Sequence, residues 1–169
     1  IGLAFVPRAT AGVADWVRRV PDPSLLDPRT GEAARLGRLL GGAPLRLSRR
    51  AEATLHRRVG AVFDTYDVVL APTTATPPPP VGTMAALSGW RTDQAMIAAC
   101  PYAWPWNVLG WPGVNVPAGR VAGGLPVGAQ LLGPEGSEPL LISLAAQLED
   151  DLRWHEEWPT PLADTQAAP

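Results

Sequence analysis

From Gln94 to Gly119 the chain carries no Asp, Glu, Lys or Arg, and between Asp93 and Glu135 the single charged residue is Arg120. Charged side chains are almost never fully buried, so an uncharged run of this length reads as core or as the wall of a cleft. The run is long enough to cross a bilayer. Yet Pro101, Pro105, Pro112 and Pro117 interrupt it, with Asn107 and Asn115 between them. A membrane helix does not tolerate that density of breakers, so the run reads as a buried segment.

Composition sharpens this. The 169 residues are 46% hydrophobic and 18% charged, with a formal net charge of −2, which fits one globular domain and excludes a disordered chain. Twenty Pro and 17 Gly require many turns. Arg46, Arg49, Arg50, Arg57 and Arg58 form a basic stretch, but Glu52, Asp64 and Asp67 lie close by, so it reads as a solvated helix face and not a nucleic-acid surface. All 14 basic residues are Arg. Chemistry that needs a lysine amine is therefore excluded within this chain. Cys100 is the only cysteine, which rules out an internal disulfide and fits a reducing, cytoplasmic compartment. No basic region precedes the apolar start, so the first ten residues are not a secretory leader. Residue 1 is Ile, and the chain reads as a piece of a longer one.

Periodicity places the elements. Residues 1–30 read as an irregular or helical approach broken by Pro21, Pro23 and Pro28, and residues 31–41 as a short helix stopping at Gly41-Gly42. Leu55, Val59, Val62, Phe63 and Tyr66 mark one face of a helix with Ser48 as its cap. Residues 67–71 read as a buried strand ended by Pro72. Pro77 to Pro80 must be extended polyproline II, either a stiff connection or an adaptor ligand. The flanks carry no docking charge, which favours the connection. A helix over residues 91–100 presents Ala95, Met96, Ala99 and Cys100 on one side. Val114 and Val116 mark a strand that pairs with residues 125–132 as a hairpin, with Pro117 and Pro126 at strand ends or bulges. Ser137 caps a last helix whose stripe is Leu140, Leu141, Leu144, Ala145, Leu148 and Leu152. The fold class is α/β, a mixed β-sheet covered by helices, over residues 1–152, with a polar, Pro-rich tail at 153–169.

The residues for catalysis are missing. Of the five serines, none lies in a Gly-x-Ser-x-Gly elbow. Cys100 sits on an apolar helix side, His56 stands between other helix residues and His155 lies in the tail, so no Cys–His pair is formed by pattern. Two histidines without patterned carboxylates make no metal site, and no phosphate-binding glycine motif precedes a helix. No cofactor is expected.

Four blocks nevertheless follow one another in a familiar order: residues 66–73 (Tyr-Asp-Val-Val-Leu-Ala-Pro-Thr), 107–112 (Asn-Val-Leu-Gly-Trp-Pro), 116–119 (Val-Pro-Ala-Gly) and 125–133 (Leu-Pro-Val-Gly-Ala-Gln-Leu-Leu-Gly). Together they make the chain, over about residues 30–150, resemble the carboxy-terminal part of the amidase signature family. It departs from the family pattern at Leu109, where a small hydroxyl residue is usual, and at Pro112-Gly113-Val114-Asn115. The resemblance implies a hydrolase that converts a carboxylic amide to an acid plus ammonia or amine. In such enzymes a serine attacks the carbonyl, and a second serine on a cis peptide relays its proton to a lysine. All three lie in the amino-terminal and middle parts of the family, so no catalytic residue is expected in this chain, which alone would be inactive. Tyr102, Trp104, Trp106 and Asn107 are then the candidates for the substrate pocket; that they only pack the core stays open. The expected partners are a small-molecule amide in the full-length enzyme, and either a second copy or a missing amino-terminal part. A non-catalytic binding or assembly module, or a relic of a truncated gene, is the alternative.

Overall fold

A computed structural model describes residues 2–156. The tail expected from residue 153 lies outside the described residues beyond 156; its first part is a 3-10 turn, Trp154–Glu156.

Three helices form the first layer. α1 (Gly2–Val17) takes the helical form of the irregular or helical approach expected there and runs through Pro7. α2 (Pro28–Leu40) begins three residues before the expected position, because Pro28 fits the first helical turn and the Asp27 carboxylate accepts from the Arg29 amide at 2.8 Å. α1 and α2 meet at backbone contact: a Cβ on Gly37 would lie 1.9 Å from the carbonyl oxygen of Thr10, so only glycine fits. Ala14 and Ala34, both buried, line these two helices.

α3 (Ala43–Gly60) also corrects the expectation. Ser48 is not its cap; it is buried inside the helix, where its hydroxyl donates to the Ala4 carbonyl of α1 at 2.6 Å. The Arg8 guanidinium meets the Glu52 carboxylate at 2.7 Å across the same interface. The helix gives way to a 3-10 turn, Ala61–Asp64, so Tyr66 leaves the apolar face and is 62% exposed. Arg46, Arg49, Arg50, Arg57 and Arg58 are all exposed.

The sheet is made of β1 (Val69–Pro72), β2 (Gly113–Arg120) and β3 (Pro126–Leu132), in the order β1-β3-β2. Both pairings are antiparallel, so among the described residues the parallel part of the expected mixed sheet does not occur. The expected hairpin forms, with Val114 opposite Leu131 and Val116 opposite Ala129, and its register shifts between Pro117 and Arg120. Proline cannot donate to the ladder, which explains why the shift falls there. β1 is an edge strand, not a fully buried one: Leu70 is 69% exposed.

Alternation decides the two faces of the sheet. Val114, Val116, Ala129 and Leu131 point to one face, and α6 (Glu138–Leu152) covers it with Leu141, Leu144, Ala145 and Leu148. Leu141 is fully buried, worth about 1.5–3 kcal/mol in apolar transfer. Leu140 and Leu152, counted in the apolar stripe, are exposed instead. Ser137 stands at the cap position, but its hydroxyl donates to Pro134 O at 2.7 Å and makes no cap bond. On the other face lie Asn115, Gln130 and Leu132, facing α5 (Trp104–Leu109). α4 (Gly89–Ala99) completes the set, with Met96 exposed where an apolar contact side was expected. No helix of the described residues is long and apolar enough to cross a membrane.

Candidate functional site

The uncharged run folds around one short helix. α5 ends at Gly110, whose φ of 70° is the left-handed conformation that lets the chain turn back. The amides of Gly110 and Trp111 both donate to Trp106 O, at 2.8 and 3.3 Å. This turn stacks Trp106 edge-on to Trp111, with centroids 6.2 Å apart. Phe63 completes a three-ring cluster at 5.8 Å from Trp111 and 6.5 Å from Trp106. Such tilted pairs suit the ring quadrupoles. The indole N–H of Trp106 donates to Gly133 O at 3.2 Å, tying α5 to the end of β3.

Between this cluster and the sheet lies a cleft of about 150 Å³, walled by Trp106, Trp111, Asn107, Asn115 and Gln130. Asn115 and Gln130 are direct register partners on β2 and β3, so their side chains emerge side by side. Three primary carboxamides therefore face one aromatic cleft. Each offers both a donor and an acceptor, the pairing that an amide or a carboxylic acid requires. The Trp111 indole N–H is buried and has no hydrogen-bond partner among the described residues.

Of the four residues singled out in the sequence, Trp106 and Asn107 line this cleft. Trp104 points the other way, onto Phe5 of α1 at 5.3 Å between centroids. Tyr102 is 43% exposed and is not part of the cleft wall. Trp111, Asn115 and Gln130 were missed. The pattern Val114-Asn115-Val116 held the signal for one of them: two valines committed to the core place Asn115 on the opposite face.

Among the described residues, nothing in or near the cleft is a nucleophile with a base. Ser24 donates to the Asp22 carboxylate, Ser48 to Ala4 O and Ser137 to Pro134 O. His56 lies 3.7 Å from Glu52 and edge-on to Trp111. Among the described residues no group of three or more His, Cys, Asp or Glu could hold a metal ion.

The chain matches the family model described as Amidase over residues 4–142. It is 53% identical over 155 residues to the protein named "Putative amidase AmiA2" in Mycobacterium bovis and Mycobacterium tuberculosis, covering 92% of this chain and 32% of that protein. It is 36% identical over 137 residues to a second M. bovis relative of similar name, AmiC, covering 80% of this chain and 28% of that one. Its fold resembles the structure of 6-aminohexanoate cyclic dimer hydrolase complexed with substrate, with a TM-score of 0.79 at 21% identity over 95% of this chain and 36% of the other. A crystal structure of an amidase gives 0.73 at 23% identity, over 88% and 34%. The chain thus spans about a third of the length of the relatives it matches. With the family model running from the first turns of α1 into α6, the chain belongs to the amidase family.

Proposed function

We propose that this chain is the carboxy-terminal part of an enzyme that hydrolyses a carboxylic amide to an acid and ammonia or an amine. The observation that carries the reading is the family match over residues 4–142 in a chain with no lysine. The serine nucleophile, the serine relay and the lysine base of the family mechanism then lie outside this chain, and the isolated chain is inactive. Its share of the work is the substrate wall. Asn107, with Asn115 and Gln130, supplies donors and acceptors for the amide group; Trp106 and Trp111 supply apolar walls that limit water. Trp104, packed on Phe5 of α1, and the exposed Tyr102 lie outside the cleft wall. No cofactor takes part, and the single cysteine suits a cytoplasmic location.

The purified chain, incubated with simple aryl and aliphatic amides, is expected to release no more ammonia or amine than a boiled control. Turnover above that level would contradict the assignment of the catalytic groups to another part.

A non-catalytic assembly role is favoured by one observation, the exposed Leu70 on β1, whose outer edge has no partner strand among the described residues. Light scattering after size-exclusion chromatography tests it: a concentration-independent monomer argues against association through that edge.

A further inference from the structure

Folding makes the basic stretch of the sequence one-sided. α3 turns about 100° per residue, so Arg46, Arg50 and Arg57 fall within about 40° of one another, with Arg49 and Arg58 on their flanks. All five are exposed. Glu52, which the sequence sets among them, points to the opposite side of the helix. There its carboxylate meets Arg8 of α1 at 2.7 Å and His56 at 3.7 Å. Asp64 and Asp67 fall beyond the helix, Asp64 in the 3-10 turn that follows it. Among the described residues none of the five guanidiniums meets a carboxylate, and Arg57 donates to Thr54 Oγ1 at 3.2 Å.

The chain as a whole has a formal net charge of −2, so this face is a local concentration of positive charge, about 16 Å long from Arg46 to Arg57. Arg46 and Arg50 stand four residues apart, a like-charge spacing that destabilises a helix. No contact within the described fold offsets that cost, which points to an anionic partner outside it.

Two features choose the partner. Every cation on the face is a guanidinium, whose planar fork pairs bidentately with phosphate oxygens. Leu47, 69% exposed, lies between Arg50 and Arg58 by the same period. An aliphatic side chain among guanidiniums suits a surface where phosphates overlie acyl chains, and the hydrated backbone of a nucleic acid offers it nothing. The face also lacks an aromatic ring on which a base could stack.

We infer that the outer face of α3 docks on a bilayer containing anionic phospholipid, with Arg46, Arg50 and Arg57 on headgroup phosphates and Leu47 at the acyl boundary. The helix lies along the surface and does not cross it. Its inner face stays bound to α1 through Ser48 and Glu52, so docking requires no unfolding. Docking is independent of the amide reading.

Co-sedimentation with vesicles tests this, using phosphatidylcholine alone and phosphatidylcholine mixed with phosphatidylglycerol. The expected result is binding to the mixed vesicles that weakens as salt is raised, with at least tenfold weaker binding to phosphatidylcholine alone. Arg46→Gln/Arg50→Gln/Arg57→Gln should lose at least tenfold in affinity for the mixed vesicles, with an unchanged circular dichroism spectrum because the three sites are exposed. Arg19→Gln/Arg91→Gln/Arg153→Gln, the same change in net charge at exposed sites on other elements, should bind as the parent does. Equal affinity for both kinds of vesicle, or equal losses in the two triple variants, overturns the proposal. Leu47→Ser should weaken vesicle binding. A duplex oligonucleotide bound as tightly as the mixed vesicles, with Leu47→Ser without effect on either, would assign the face to nucleic acid and overturn docking on lipid. Displacement from vesicles by free glycerol phosphate would assign it to a soluble phosphate and overturn it equally.

Discussion

The Thr73 hydroxyl and the Asn115 carboxamide, 42 positions apart in sequence, meet directly across Gly128. β3 lies between their strands, and a side chain on Gly128 would stand in the way: its Cβ would be 2.6 Å from Thr73 Oγ1 and 2.7 Å from Asn115 Oδ1. The glycine is what lets the two polar side chains join over the central strand. The Thr73 amide adds a bond to Gly128 O at 3.0 Å, continuing the β1 ladder past Pro72.

Gly128→Ala is therefore expected to lower stability by about 1–3 kcal/mol, the usual range for overpacking. In a Thr73→Ala background the same change should cost less, with a coupling of at least about 0.5 kcal/mol. Urea denaturation of the four proteins of the cycle measures it. Additive losses would mean that Thr73 does not oppose the Cβ.

Gly37→Ala should be the more damaging substitution. Here the obstacle is the Thr10 backbone at 1.9 Å, which cannot rotate away as a side-chain tip can. A loss at or above the top of the range of about 1–3 kcal/mol is expected. Gly31→Ala in the same helix meets nothing within 4 Å and should gain up to about 1 kcal/mol from helix propensity. Thermal unfolding of the pair separates packing from propensity.

Ser48→Ala removes a buried hydroxyl that ties α3 to α1 at Ala4 O. A loss of about 1 kcal/mol is expected from one net hydrogen bond. Ser143→Ala, at an exposed position of α6, should stay within about 0.5 kcal/mol of the parent. Chemical denaturation gives both values.

The start of α2 should be sensitive to acid. The Arg29 amide bond to Asp27 holds that carboxyl below its ordinary value of 3.8. A depressed folded-state pKa means that the stabilisation is present above the unfolded pKa and is lost as pH falls through the folded one. Exchange protection of the Arg29 amide should be level from neutral pH down to about pH 5 and should drop once the pH passes below the ordinary Asp range. Asp27→Asn, which caps without titrating, should remove that drop.

What was legible in the sequence had a local cause. The β2–β3 hairpin followed from alternating valines and glycine-rich turns, and α6 from a leucine stripe, because period and turn chemistry are properties of neighbours. Leu141, Leu144 and Leu148 reached the core as expected. The errors came where a distant partner decided the outcome. Ser48 looked like a cap because serine before an apolar pattern usually is one, but its bond runs to α1, 44 positions away. The Tyr66 period failed because the helix tightens into a 3-10 turn five residues earlier. Asp27-Pro28 was a readable start signal for α2 and was passed over. At the aromatic cleft, the aromatic run marked the segment that supplies Trp106 and Asn107 to its wall. Gln130 and Thr73 join Asn115 only through strand register, which no single stretch of sequence displays.

The central claim is that this chain forms the substrate wall of an amide hydrolase whose nucleophile is supplied from elsewhere. It is tested most directly by exchanging the matching third of AmiA2 for residues 4–142 and measuring amine or ammonia release. The account predicts that the folded chimera cleaves the amides its parent cleaves, and that Asn115→Ala in the chimera lowers kcat/KM at least tenfold. A folded chimera that cleaves none of its parent's amides, or one indifferent to Asn115→Ala, would contradict it.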